Sequence, residues 1–294
     1  MGAKSGKRTD ANIKVRVIGE HGPVAQMLHP FWIARNDISV MSNALRMVDD
    51  QLTVLTSGVR LVVSGGGFIE ISHTKTYSPK TWKSEKTLDE LIDLVRAGMQ
   101  LVATALKDSE RDYVIGVDVF DTQDTGGGQF AVFLSAGEIK TIAWKSYPVL
   151  KESKWLAGFG TDKGRNSPRI VSTALGKIML LICHDSQAYN HRNSALVSRA
   201  YSPTHRQQAI NGMVKMIKVE KPEWAFSLIH KIDKEGSMRT FRNSYSQIHR
   251  DYHVPAVVGA FGYGPNVQTT LEWLAHRAQF PDGKGGVVAI LEVN

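Results

Sequence analysis

The chain has 294 residues, 36 Lys plus Arg against 28 Asp plus Glu, and a single cysteine, for a formal net charge of +8. Hydrophobic residues at 42% and charged residues at 22% supply a large core and exclude wholesale disorder. One cysteine excludes an intramolecular disulfide and any zinc site built on cysteine pairs, so a reducing, cytoplasmic setting is expected.

The longest apolar run, 178–183, is six residues, whereas a spanning helix needs about 20, so no membrane partner is expected. Residues 1–10 carry charge without an apolar stretch and read as a mobile tail, leaving 11–294 as one domain. Lys and Arg are scattered instead of lying in one stripe, which disfavours a nucleic-acid partner.

Alternation at Ile13, Val15 and Val17 predicts an opening strand, and Leu45, Val48, Leu52 and Leu55 predict a helix closed by Gly58. The strand Val59 to Val63 follows, running into Ser64-Gly65-Gly66-Gly67, a turn that delivers Phe68-Ile69-Glu70. Thr87 and Glu90 read as a capping box for a helix with Leu88, Leu91, Val95, Val102 and Leu106 on one face.

Tyr113 to Val119 is a predicted strand. After a turn at Gly126-Gly127-Gly128, Gln129 to Ser135 and Glu138 to Lys145 form a hairpin joined at Ala136-Gly137, whose far end carries Lys145. Gly160 to Ser167 reads as a loop, and Arg169 to Ser172 with Lys177 to Ile182 as a strand pair ending at Cys183. Beyond a polar segment come a helix (His205 to Ile217), a buried strand (Trp224 to Ile229), a helix (Phe241 to Tyr252), a strand (Ala256 to Ala260), a glycine-rich turn (Phe261 to Pro265) and a last strand (Val287 to Val293). Helices and strands interleave without a fixed repeat, so α/β in one domain is the expected class.

A hydrophobic strand that empties into Cys183-His184-Asp185 places the thiol at a strand's C-terminal end, where ligand sites of α/β sheets gather. A buried, inert cysteine is the commoner outcome for that residue type. Glu70 and Lys145 occupy equivalent strand ends. His249 and His253 stand at i, i+4 without the Glu or third ligand of a zinc protease, and the glycines of 259–264 do not follow the first strand of a βαβ unit as a dinucleotide fingerprint requires. No G-x-S-x-G elbow and no phosphate-binding loop is present.

Taken in order, Glu70, Lys145 and Cys183 resemble the Glu, Lys, Cys set of the nitrilase superfamily of carbon–nitrogen hydrolases. Asn43-Ala44-Leu45, Gly137-Glu138-Ile139 before the Lys, Ile182-Cys183-His184-Asp185 and Val254 to Ala260 are similar to that family's layout as well. The chain departs from it at Ala188-Tyr189-Asn190 and in the three glycines before Glu70, while Arg192 falls where an Arg is expected. The resemblance implies a four-layer α-β-β-α sandwich and hydrolysis of a small amide or N-carbamoyl C–N bond through a Cys183 thioester. Glu70 would then be the base, and Lys145 with the backbone N–H of His184 would stabilise the oxyanion. It implies Glu152 as a second, supporting Glu. Neighbours along a strand face opposite ways, so the side chain of His184 reads as pocket wall or its backbone as part of the oxyanion hole. No metal or organic cofactor is implied, and a homodimer or larger homo-oligomer is. The alternative is a catalytically silent binding or scaffold protein on the same fold.

Overall fold

Most strands of this chain are apolar on both faces, which requires each sheet to be covered on both sides. The computed structural model describes residues 13–16, 23–28, 36–55, 59–75, 77–121, 126–148, 152–173, 175–189, 203–230, 235–261 and 287–293. In chain order the elements are β1 (Ile13–Arg16), β2 (Pro23–Leu28), α1 (Ile38–Leu55), β3 (Leu61–Ser64), β4 (Ile69–His73), α2 (Pro79–Trp82), α3 (Glu85–Ala105), β5 (Asp112–Asp121), β6 (Gly127–Ser135) and β7 (Glu138–Trp144). Then follow α4 (Asp162–Arg165), β8 (Ile170–Thr173), β9 (Gly176–Ile182), α5 (Pro203–Glu220), β10 (Trp224–Ile229), α6 (Glu235–Tyr252), β11 (Ala256–Phe261) and β12 (Val287–Val293).

Two sheets result. The larger runs β1-β12-β2-β3-β5-β6-β7 with β4 also on β5, and the smaller runs β11-β10-β9-β8. Val62, Tyr113, Ile115, Phe130 and Val132 bury one face of the larger sheet against Leu45, Val48 and Leu52 of α1 and Leu91, Val95 and Met99 of α3. Their neighbours Leu61, Val63, Val114, Ala131 and Phe133 face the other way, onto Ile178, Leu180 and Phe226 of the smaller sheet and its neighbouring core. Met213 and Ile217 of α5 and Phe241, Tyr245 and Ile248 of α6 complete that core. The layers are therefore α-β-β-α, the expected sandwich. At about 1.5–3 kcal/mol for each fully buried large apolar side chain, this double core is the principal stabilising term.

β3 and β4 share one edge of β5: Leu61–Val63 pair with Asp112–Val114, and Ile69–His73 with Val117–Asp121. The chain between them loops across Gly116, where a Cβ would lie 2.1 Å from the Gly65 carbonyl oxygen. Gly116 donates its N–H to Ser64 Oγ at 2.8 Å, fixing the loop from below.

The cap of α3 differs from the expected one. Ser84 is the capping residue, its Oγ accepting from Thr87 N at 3.1 Å, so the helix begins one turn earlier than the Thr87–Glu90 box implies. Glu90 instead bonds Lys75 Nζ at 2.7 Å and Tyr77 Oη. Ser84→Ala is expected to cost about 1 kcal/mol, read as a lowered urea midpoint at unchanged slope. Gly127 and Gly128 belong to β6 and not to the preceding turn, 160–167 contains the short helix α4 capped by Thr161, and β2 and α2 carry no periodic signal strong enough to predict them. The tail 1–10, Gly58, the polar segment with Arg192 and the turn at 262–265 lie outside the described residues. Among the described residues no helix is long and apolar enough to cross a membrane.

Candidate active site

Alternation along four strands of the larger sheet places a row of polar residues on the face that meets the smaller sheet. In β4, Ile69 and Ile71 pack toward the helices, so Glu70 faces the opposite way. Glu70 pairs in register with Asp118, and Asp118 with Gln129. Lys145, which follows β7, donates its backbone N–H to the Gln129 carbonyl at 2.9 Å. The row Glu70, Asp118, Gln129, Lys145 thus crosses β4, β5 and β6 to the end of β7, at about 4.8 Å per strand.

Lys145 Nζ is fully buried. It donates to Gln129 Oε1 at 2.6 Å and pairs with Glu152 Oε2 at 2.6 Å. Burial alone would lower its pKa, but Glu152 first, and then the Cys183 sulfur, outweigh burial and lift it above the ordinary lysine value. It is an ammonium ion at neutral pH.

Above this row the smaller sheet contributes the ends of two parallel strands. β9 ends at Ile182, and Cys183 takes a left-handed φ of 48°, a conformation non-glycine residues rarely adopt and one that clusters at functional sites. The chain then enters a 3₁₀ turn over Cys183–Tyr189. Because of that turn, strand alternation no longer governs His184. Its Nδ1 lies 3.2 Å from Cys183 Sγ, on the same side as the thiol and 4.0 Å from Glu152 Oε2, which corrects the expectation that it faces away.

Asp185 fixes this turn to the lysine loop. Its Oδ1 accepts from Ser146 N at 3.0 Å and Tyr147 N at 2.7 Å, and its Oδ2 from Ile182 N at 3.2 Å and Arg169 Nη1 at 2.8 Å. Arg169 also donates to Ser146 Oγ at 2.7 Å. The thiol and the ammonium are therefore held in one frame.

Next to Cys183, the parallel strand β10 pairs Leu228 with Ile182, so His230, just past its end, leaves the sheet at the same edge. His230 Nε2 bonds Asp118 Oδ1 at 2.7 Å, joining the smaller sheet to the polar row of the larger one. Its Nδ1 is buried without a well-formed hydrogen bond. The loop after β3 is tied here too, by Gly66 N donating to the Ile229 carbonyl at 3.1 Å.

These groups set one another's ionisation. Burial acts to raise the Cys183 thiol, but His184, then Lys145, and a short-range interaction with His230 outweigh it and hold the thiol well below its ordinary value. Burial acts to lower the His230 ring, yet the Asp118 carboxylate, with a further contribution from the Cys183 sulfur, pushes it up to about 10. Both shifts favour the thiolate and imidazolium forms of the pair.

Of the residues expected from sequence, Lys145, Cys183, Glu152 and His184 form one cluster. Glu70 faces the same inter-sheet space, one strand beyond Asp118. Asp118, Gln129 and His230 were not anticipated. The signal for each was present: Asp118 and Gln129 are buried polar positions in the middle of largely apolar strands, and His230 follows a buried strand as Cys183 does. His249, by contrast, bonds the Val254 carbonyl at 2.9 Å, an ordinary helix-end contact. No group of three His, Cys, Asp or Glu side chains among the described residues is arranged to hold a metal.

No family model matches the chain, and no curated protein matches it in sequence. Solved structures do. A cysteine-to-alanine mutant of the amidase of Nesterenkonia AN1, from the nitrilase superfamily, is 13% identical over 82% of this chain and 75% of its own, with a TM-score of 0.47. Nit3 of Saccharomyces cerevisiae, a member of branch 10 of that superfamily, is 11% identical over 85% and 76%, with a TM-score of 0.46. A carbon-nitrogen hydrolase from Helicobacter pylori is 13% identical over 95% and 81%, with a TM-score of 0.42.

Proposed function

We propose that the chain is a hydrolase of the nitrilase superfamily that cleaves the C–N bond of a small amide or N-carbamoyl compound through a Cys183 thioester. The observation that supports this reading is the buried thiol at the end of β9, clustered with His184 and the buried Lys145–Glu152 pair, surroundings that favour its thiolate form. A thiol of ordinary pKa is only a few per cent ionised at pH 7, whereas a thiolate kept in a water-poor site next to a cation is a ready nucleophile.

In this reading the Cys183 sulfur adds to the substrate carbonyl. The negative charge that grows on the oxygen meets Lys145 Nζ and the backbone N–H of His184. Gln129 and Glu152 each engage one Lys145 proton, so the remaining proton is assigned to that oxygen, and Glu152 keeps the ammonium charged and in place. Collapse expels ammonia or an amine, and water then releases the acid from the thioester. Amides are favoured over nitriles because Cys183-His184-Asp185 is nearer the Cys-Tyr-Asp of amidases than the Cys-Trp-Glu of nitrilases.

The test is ammonia or amine release from a panel of small amides, N-carbamoyl compounds and nitriles, run with the wild type and Cys183→Ala. Release by the wild type is expected from the amide-type compounds, with a fall to background in the variant. Equal release by the two proteins overturns the reading.

A further inference from the structure

We infer that His230, oriented by Asp118, is the group that exchanges protons with Cys183 and the leaving amine, in place of Glu70. This deepens the proposed function and rests on Cys183 being the nucleophile.

Cys183 and His230 leave adjacent parallel strands at the same edge, one just after Ile182 and the other just after Ile229. Asp118 occupies Nε2 at 2.7 Å, so Nδ1 is the atom left for the thiol, and it is buried without a well-formed hydrogen bond. A buried polar atom left in that state calls for a functional account, and the neighbouring sulfur, whose interaction with the ring shifts both groups, supplies it.

The His230 ring also fills space that only glycine leaves open. A Cβ on Gly66 would lie 2.6 Å from His230 Nδ1, and a Cβ on Gly67 would lie 2.9 Å from Asp118 Oδ2. The glycines before Glu70 therefore make room for the histidine and its carboxylate. Glu70 stands one strand farther along the row, with Asp118 between it and the Gln129–Lys145 end.

The sulfur lone pair forms the S–C bond as the carbonyl π pair moves onto oxygen. When that pair returns, the C–N bond breaks, and the nitrogen keeps its bonding electrons and takes the proton from His230 Nδ1. Neutral His230 then accepts a proton from water as the water oxygen bonds to the thioester carbon. The C–S bond breaks, its electrons return to sulfur, and the proton remains on His230. Asp118 stays ionised and holds Nε2–H throughout, in the role the carboxylate plays in a Ser-His-Asp triad.

The charged and titratable groups around this pair are Asp118 and Glu70 from the larger sheet, Lys145 with Glu152, His184, and Tyr245 of α6. A pH profile taken on single variants separates their contributions. Cys183 is the chain's only cysteine, so alkylation by iodoacetamide, followed by intact mass, reports on it alone.

The experiment measures that rate from pH 5 to 10 for the wild type, His230→Gln, Asp118→Asn and Glu70→Gln, each verified as folded by circular dichroism. In His230→Gln the profile is expected to move to higher pH and the rate at pH 6.5 to fall at least about tenfold, as thiolate is lost. Asp118→Asn is expected to move it the same way by less. A profile unmoved by His230→Gln and Asp118→Asn, or moved by Glu70→Gln alone, overturns the inference and leaves Cys183 as the nucleophile. A wild-type thiol that resists alkylation throughout overturns the underlying reading instead.

Discussion

Replacing Arg169 with methionine is expected to lower the unfolding free energy by about 3–5 kcal/mol, measured by urea denaturation. Arg169 and Asp185 are fully buried, and their side chains meet at 2.8 Å. Methionine fills much of the same space but donates nothing. Asp185 would keep the backbone N–H groups of Ser146, Tyr147 and Ile182 and lose its cation, and a buried charge stripped of its partner is among the costliest single defects. Removing the acid as well does not repair the damage. In Arg169→Met with Asp185→Leu those backbone donors lose their acceptor, at about 1–3 kcal/mol for each one left unsatisfied. A double variant with wild-type stability would mean that Asp185 matters only as a counter-ion. Because the same carboxylate joins the lysine loop to the cysteine turn, alkylation of Cys183 at pH 6.5 is expected to slow in the folded fraction of either variant.

The strands that frame this cluster were legible because they alternate or run apolar: Leu61 to Val63, Tyr113 to Val119 and Ile178 to Ile182 signal themselves through side-chain type alone. Lys145 and Cys183 were legible for the same reason, each being a chemically able residue at the end of such a run. What sequence could not supply was the pairing between strands far apart in the chain. Asp118 and His230 are separated by 112 positions and belong to different sheets, and only the facing of the sheets makes them a hydrogen-bonded pair. His184 was misread for a local reason. The alternation rule applies to a strand, and the left-handed φ at Cys183 ends the strand one residue before it. The glycines at 65–67 were read as backbone freedom for a turn. At Gly66 the structure gives the glycine a steric role instead, set by the His230 ring just past β10, which no local pattern announces.

That steric role yields the second large effect. Gly66→Ala is expected to slow Cys183 alkylation at pH 6.5 by about tenfold or more and to cost about 1–3 kcal/mol in stability, the usual range for overpacking. Gly66 does not have the left-handed φ of Gly67, so alanine suits its backbone, and the penalty arises from contact. The new methyl carbon would sit 2.6 Å from His230 Nδ1 and 2.7 Å from Cε1. The loop cannot retreat freely, since Gly66 N is bonded to the Ile229 carbonyl and Gly65 lies against Gly116. The ring must therefore turn, which breaks its bond to Asp118. A contrasting substitution is Gly212→Ala in α5, where an added Cβ meets nothing within 4 Å, and a gain of about 1 kcal/mol from helix propensity is expected with no change in thiol reactivity. The decisive measurement is a double-mutant cycle. With His230→Ala the ring is gone, the space at Gly66 is open, and adding Gly66→Ala is expected to change the alkylation rate by less than about twofold. If the methyl slows the thiol as much without the histidine as with it, Gly66 acts on Cys183 through the loop backbone, and its contact with His230 is incidental.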